Sequence, residues 1–227
     1  MDNTGATDRQ ESASLTTLFL FFLVHTGIWT GLNLALAGDD RVGFDQLGIG
    51  STPWVRQFHG ALLAVLVVQI VFISRRGWWR SVLSDTERVS KKWWWIFPVF
   101  VLLAGIGNFA NDGLSDAPSS YWIGMSVTML LVGITEEMTF RGIVLVGGRS
   151  AFRSETKAFL LSSALFGLFH LPNVVLGQEL SVTLRQVVMT AVIGSAFYAL
   201  RRLTASIIPC IALHAVYDWL LIQGAFS

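Results

Sequence analysis

Three apolar runs of the sequence contain ionisable residues of types that could carry out chemistry. They are residues 136–141 (EEMTFR), residues 166–170 (FGLFH) and residues 214–218 (HAVYD). An ionisable side chain inside a membrane span costs a few kcal/mol or more, so by default it indicates a functional site. These three stretches are therefore the first candidates for such a site.

The spacing within the first stretch separates its two glutamates on a helix. Glu137 and Arg141 are four residues apart, so they lie on one face and can form an ion pair. Glu136 is rotated by roughly a third of a turn from Glu137 and can point elsewhere, into a cavity. We therefore predict a supporting pair and, beside it, a free carboxylate.

The two histidine stretches differ in their local partners. His214 and Asp218 are also four residues apart and share a helix face. His170 has no such partner on its own helix and needs one from another helix. Convergence of the three stretches would supply it.

If the three stretches converge, their side chains could supply what the hydrolysis of an amide needs. Hydrolysis requires an activated water and stabilisation of the oxyanion that develops. A carboxylate is a weak base in water and a stronger one where it is buried, a condition that Glu136 meets. His170 would orient the water or share the proton, and His214 would donate a hydrogen bond to the oxyanion. An ionised Asp218 cannot donate, so we expect it to fix the tautomer of His214.

A metal site is the alternative chemistry for the same residues. Two histidines and a carboxylate are a standard catalytic zinc set. His170, His214 and Glu136 would be the ligands, with Asp218 as another possible carboxylate. The spacing is not that of an HExxH motif, because the ligands would come from three helices.

Composition places these stretches in a membrane protein. The chain has 227 residues, of which 53% are hydrophobic and only 14% are charged, whereas about 25% are charged in a soluble domain. A net charge of +1 gives no basic field for nucleic acid. Cys210 is the only cysteine, which excludes an intrachain disulfide and a CxxC site.

We predict an all-α, polytopic transmembrane helical bundle with about seven spanning helices. A span needs about 20 mostly apolar residues. The first fourteen residues lack a signal peptide pattern and are expected to form a disordered tail, and residues 15–227 are expected to form one domain. The candidate spans are 15–37, 54–74, 93–111, 121–146, 158–176, 183–200 and 204–224.

Basic residues in the loops predict the orientation of the bundle. Eleven Lys and Arg lie in the loops after the second, fourth and sixth spans, at positions 75–92, 149–157 and 201–202. Such loops face the cytoplasm. The N-terminus is therefore predicted to be cytoplasmic, the C-terminus outside, and the protein to be multi-pass in the cell membrane.

Further polar residues lie in or beside the predicted spans. Pro172 and Pro209 would each free a backbone carbonyl, which fits a hydrated cavity or an ordinary kink equally well. Four residues are predicted to form hydrogen bonds between helices and to take no part in the chemistry, namely His25, His59, Asn108 and Asn111.

In this order, EExxxR, FxxxH and HxxxD resemble the motifs of the CPBP (Abi) family. That family includes type II CAAX prenyl endopeptidases and bacteriocin-processing or immunity proteins. The resemblance extends over about residues 121–224, which would be the motif-bearing core. It implies a helical bundle whose catalytic cavity opens to the cytoplasm, and it favours a metal-independent glutamate mechanism with no cofactor.

The resemblance also implies a role for each matching residue. Glu136 would be the general base with His170 beside it, while Glu137 and Arg141 would support the site. His214 matches the first position of the third motif. The last position of that motif is commonly Asn in the family, and here it is Asp218. At positions 138 and 139, Met and Thr depart from the usual apolar pair.

Three functions are compatible with the sequence. The first is an intramembrane endopeptidase that acts on a membrane-associated or prenylated peptide or protein near the cytoplasmic face. The second is a catalytically silent membrane protein with a binding, immunity or scaffold role. The third, a proton-coupled transporter, is disfavoured because there is no inverted repeat and the ionisable positions cluster in one half of the chain. The lipid bilayer and a peptide or membrane-protein substrate are the expected partners, and the sequence indicates no oligomeric state.

Overall fold

The structure is a computed structural model that describes residues 13–37, 53–112 and 119–223. These residues are almost entirely helical and contain no β-strand, so the predicted all-α class is confirmed. The α-helices, in chain order, are α1 (Leu15–Ala37), α2 (Pro53–Arg76), α3 (Trp79–Leu83), α4 (Ile96–Asp112), α5 (Ser119–Glu137), α6 (Leu145–Phe152), α7 (Glu155–Leu168), α8 (Leu180–Thr204) and α9 (Ile208–Gln223). A π-helix (Met138–Val144) joins α5 to α6, and short 3-10 helices cover Lys92–Trp95 and Leu171–Val174.

Several helices have the length and composition of membrane spans. Among the described residues, four segments qualify, namely Leu15–Ala37, Gln57–Arg76, Lys92–Ala110 and Leu180–Thr204, and Ile208–Ile222 is apolar but shorter. A span needs about 20 apolar residues. The chain is therefore an integral membrane protein, and the number of about seven crossings stays a prediction.

The predicted helix through Pro172 is wrong. Helix α7 ends at Leu168, and the chain continues through a 3-10 helix to Gly177, where φ is +105°. Pro172 has no N–H and its ring would clash with the carbonyl of Leu168, so a regular helix cannot continue across it. Pro209 does not kink a helix either. It lies in the first turn of α9, where no helical hydrogen bond is lost.

The predicted disordered tail of residues 1–14 falls mostly outside the described residues. Ala13 is described, and it is buried against a core that contains Leu18, Trp78 and Ile143. The loops predicted at 38–53 and 112–120 and the predicted location of the C-terminus also lie wholly or mostly outside the described residues.

Three pairs of helices pack against each other around the motif-bearing segment. Helix α1 packs on α2, α5 packs on α9, and α7 packs on α8. The π-helix lies within this arrangement, and all seven of its residues are buried. A cluster of buried aromatic side chains surrounds it, including Phe140, Phe166, Phe169 and Phe197.

An ion cluster ties the chain after α3 to the ends of α6 and α8. Oδ1 of Asp85 lies 2.9 Å from Nη1 of Arg149 and 2.8 Å from Nη2 of Arg201, and Oδ2 lies 3.3 Å from Nη1 of Arg202. Glu155 accepts a second hydrogen bond from Arg149, 2.8 Å long. Burial alone would raise the pKa of Asp85, but the hydrogen bond from Arg149 and the charge of Arg201 hold it below the ordinary value.

This cluster corrects one part of the charge analysis. We assigned Arg201 and Arg202 to a loop that signals orientation, but both lie inside α8, and Arg201 is completely buried. Arg149 likewise lies in α6 and binds two carboxylates. The positive charges of Arg149, Arg201 and Arg202 therefore form ion pairs inside the fold, in addition to contributing to the topology pattern.

Candidate active site

Helices α5 and α9 approach each other closely beside the first motif. A Cβ atom placed on Gly133 would lie 2.8 Å from the carbonyl oxygen of Ile211 and 3.2 Å from the amide nitrogen of Ala215. A side chain at this position would therefore separate the helices. Glycine lets Glu136 and Glu137, one turn further along α5, reach His214 on α9.

Glu137 and Arg141 form the buried ion pair that their spacing predicts. Nη1 of Arg141 donates to Oε1 of Glu137 at 2.9 Å, and neither residue is exposed. Nη2 of Arg141 donates to the carbonyl of Gly194 on α8 at 3.0 Å. The guanidinium carbon lies 4.2 Å from the ring centre of Phe166 and 5.0 Å from that of Phe197. The cation is thus held by a carboxylate, a carbonyl and two aromatic rings.

His214 is held through Nδ1, and its Nε2 faces two carboxylates. Nδ1 lies 2.8 Å from Oε1 of Glu137, while Nε2 lies 3.4 Å from Oδ2 of Asp218 and 3.8 Å from Oε2 of Glu136. Its ring stacks on Phe197, with centres 4.7 Å apart and planes 13° from parallel. Asp218 is predicted to fix the tautomer of His214, and Glu137 makes a shorter contact with the other ring nitrogen.

His170 lies just after the last turn of α7. Its Nδ1 lies 2.9 Å from the carbonyl oxygen of Phe166. Because a carbonyl oxygen can only accept, Nδ1 carries the proton, and Nε2 of the neutral ring is an acceptor. The rings of Phe166 and Phe169 meet the imidazole nearly at right angles. The backbone and two aromatic rings therefore fix the orientation of His170.

One cavity of about 190 Å³ brings the four predicted catalytic side chains together. Glu136, His170, His214 and Asp218 all line it. The rest of the wall is mainly apolar and includes Trp29, Phe58, Leu176, Met189, Ile193 and Phe197. The supporting residues Glu137 and Arg141 lie behind this wall.

Glu136 is the carboxylate that remains available on this cavity. It is 8% exposed, and its Oε2 has no hydrogen-bond partner among the described residues. Glu137, by contrast, is engaged by Arg141 and His214. Two adjacent glutamates therefore have different environments, as their rotation on the helix predicts.

The segment that contains the three motifs matches a known protein family. Residues 118–220 match the family described as type II CAAX prenyl endopeptidase Rce1-like. This segment is similar to that family over 103 of the 227 residues in the chain. The resemblance inferred from the three motifs is confirmed by this match. Comparisons with curated proteins and with solved structures give no match.

The side chains of the site also bear on metal binding. Across the residues that the structure describes, no three His, Cys, Asp or Glu side chains form a group that could hold a metal ion. The alternative zinc set of His170, His214 and Glu136 shares one cavity, and zinc dependence stays a prediction to be tested.

Of the polar residues predicted to lie outside the chemistry, those that the structure describes form hydrogen bonds between helices. His59 lies 2.7 Å from Oγ1 of Thr128, and Asn108 donates to the carbonyl of Leu221 at 3.1 Å, as the prediction of hydrogen bonds between helices requires. The side chain of Asn111 lies outside the described residues. His25 also bonds between helices, to Thr139 within the first motif.

Gln69 was missed by the sequence analysis. It is completely buried on α2, and its Nε2 contacts Thr135, Thr139 and His25. A signal was available, because Gln69 is an isolated amide within the apolar run VLVVQIVFI, where a polar side chain needs a partner.

Proposed function

We propose that the protein is an intramembrane endopeptidase that cleaves a membrane-associated or prenylated peptide or protein near the cytoplasmic face. The observation that carries this proposal is the shared cavity of Glu136, His170, His214 and Asp218. The similarity of residues 118–220 to the Rce1-like family supports the same class of reaction. The apolar remainder of the wall suits an apolar substrate segment.

In the proposed reaction a water molecule binds between Glu136 and His170. Glu136, whose side chain lines the cavity, removes one proton, and Nε2 of His170 accepts a hydrogen bond from the other hydrogen. The water oxygen then attacks the carbonyl carbon of the scissile peptide bond. This forms a tetrahedral intermediate with a negatively charged oxygen.

His214 provides the donor for that oxygen. With Nδ1 bound to Glu137, Nε2 of the protonated ring faces the cavity and donates to the oxyanion. As the intermediate collapses, the C–N bond breaks and the protonated Glu136 gives its proton to the leaving amine. The products are a carboxylic acid and an amine, which exchange a proton to become a carboxylate and an ammonium group, and Glu136 returns to its ionised form.

Cleavage of a peptide panel by the purified protein tests this proposal. The protein in detergent is incubated with prenylated and matched unprenylated peptides, and products are identified by mass spectrometry. Wild type should cleave at least one peptide and Glu136→Gln should not. Peptides that bind both proteins and are cleaved by neither would instead support the binding or scaffold alternative.

Elemental analysis of the active preparation decides between the two chemistries. The glutamate mechanism expects activity without stoichiometric metal. One zinc per chain, lost in both His170→Ala and His214→Ala, would replace it with the zinc mechanism.

We also propose that the N-terminus is cytoplasmic, because the loop at 75–92 is rich in Lys and Arg. Cys210 is buried and would be replaced by Ala, after which single cysteines are placed at Ser84 and at Ser227. An impermeant thiol reagent added outside intact cells should label the second site and not the first. Equal labelling would contradict this orientation.

A further inference from the structure

The helix that carries both glutamates changes its winding directly after them. Residues Met138–Val144 form a π-helix, although the flanking α5 and α6 are regular. A π-helix bonds residue i to residue i+5, is rare, and is frequently found at functional sites. The backbone of this segment therefore needs support that an α-helix would not need.

Gln69 on α2 contacts both sides of the α-to-π junction. Its Nε2 donates to the carbonyl oxygen of Thr135 at 2.8 Å and to Oγ1 of Thr139 at 2.8 Å. The two acceptors belong to the residue before Glu136 and the second residue after Glu137. One side-chain amide thus binds the chain both before and after the two glutamates.

Thr139, which accepts a hydrogen bond from Gln69, also contacts His25 on α1. Its Oγ1 lies 3.2 Å from Nε2 of His25, which lies 3.1 Å from Nε2 of Gln69. Both amide hydrogens of Gln69 are used by Thr135 and Thr139, so the hydroxyl of Thr139 donates to His25. The three side chains are buried and form one directed chain of hydrogen bonds from α2 through the π-helix to α1.

Two other helices hold the opposite side of the same segment. Oγ of Ser162 on α7 donates to the carbonyl of Phe140 at 2.7 Å. Arg201 on α8 donates to the carbonyl of Arg141 through Nη1. The carbonyls of this segment are therefore bonded by side chains that no motif contains.

We propose that Gln69 is a positioning residue for Glu136, acting with Thr139 and His25 to fix the junction at which α5 becomes π-helical. This inference rests on the proposed function of Glu136. Gln69 does not line the cavity and touches no reacting atom. It sets the direction of the helix turn from which Glu136 reaches the water, and small errors of position at a reacting group cost about a hundredfold in rate.

Kinetics of near-isosteric variants test this role. Gln69→Met and Thr139→Val keep the approximate volume and remove the hydrogen bonds. In each, kcat should fall about 10- to 100-fold while KM stays within about twofold, because geometry and not binding is changed. Thr139→Ser keeps the hydroxyl and should retain most of the activity. Asn108→Leu removes a comparable bond between α4 and α9 and is the matched control, with kcat near wild type.

Hydrogen exchange provides a readout that needs no substrate. Amides of residues 135–144 should exchange faster in Gln69→Met than in wild type or Asn108→Leu, with melting temperatures that remain close. Unchanged kcat and unchanged exchange in Gln69→Met, alongside an inactive Glu136→Gln, would overturn the positioning role alone. A fully active Glu136→Gln would overturn the proposed function. In that case faster local exchange would still place Gln69 in the support of the π-helix but would end its role in aiming a catalytic group.

Discussion

Oε1 of Glu137 lies 2.8 Å from Nδ1 of His214 and accepts, at 2.9 Å, a hydrogen bond from Arg141 as well. One carboxylate oxygen therefore joins the first and third motifs across α5 and α9. The two glutamates therefore have different roles. Glu137 binds Arg141 and His214, whereas Glu136 faces the cavity. His214 depends on this contact for the direction in which its Nε2 points.

Removing either member of the Glu137–Arg141 pair should destabilise the protein. Both side chains are completely buried, so Glu137→Ala or Arg141→Ala leaves an uncompensated charge that costs about 3–5 kcal/mol. Thermal melting in detergent measures the effect, and Lys157→Ala, at an exposed position, is the control. Wild-type stability in both single variants would mean that the pair does not contribute as a buried ion pair.

Glu136→Gln should abolish most activity and leave the fold intact. The variant keeps the shape and hydrogen-bonding capacity of Glu136 and removes its basicity, and general-base catalysis contributes about a hundred- to ten-thousandfold. His170→Ala should act similarly. Measured kcat should fall by at least that range with peptide binding nearly unchanged, and the melting temperature should stay close to that of wild type. Full activity in Glu136→Gln would show that Glu136 is not the general base.

Asp218→Asn should have a milder effect than Glu136→Gln. Asp218 faces Nε2 of His214 at 3.4 Å, whereas the shorter contact to that ring comes from Glu137. An asparagine can still contact the ring and can also donate to the oxyanion. We expect kcat to fall by less than about tenfold, well below the full contribution of a general base. A loss as large as that of Glu136→Gln would show that the charge of Asp218 is required.

The ion cluster around Asp85 should make stability depend on acid pH. The pKa of Asp85 is held below its ordinary value of 3.8, so the cluster stabilises the fold above that value and this contribution is lost as pH falls through the lowered one. Asp85→Asn removes it at all pH values and leaves Arg201 uncompensated, at a cost of about 3–5 kcal/mol. The difference in melting temperature between wild type and Asp85→Asn should be full at pH 7 and should shrink below pH 3.8. A difference independent of pH would contradict the ion pairing.

Contacts within one helix were predictable, and contacts between helices were not. The Glu137–Arg141 pair follows from a spacing of four residues. The contact of Glu137 with His214 depends on the close approach at Gly133, which joins residues 77 positions apart. Asp85 likewise meets Arg201 across 116 positions, and no local pattern specifies that pairing.

Hydropathy did not predict where each helix ends. It extended the fifth span past Pro172, although the ring of that proline ends the helix at Leu168. Hydropathy also could not distinguish a π-helix from an α-helix at 138–144, because all seven residues are buried and hydropathy carries no information about the hydrogen-bond pattern. The three motifs nevertheless identified every acidic and basic side chain that lines the cavity among the described residues.

The π-helix has a consequence for the permitted length of the chain. Each of its turns contains about one residue more than an α-helical turn. Deleting one residue within 138–144 would therefore let the chain wind as a single regular helix from Ser119 to Phe152. Such a shortened chain would keep the bundle but would rotate Arg141 relative to α7 and α8. The geometry of the site thus depends on the number of residues between α5 and α6, as well as on their types.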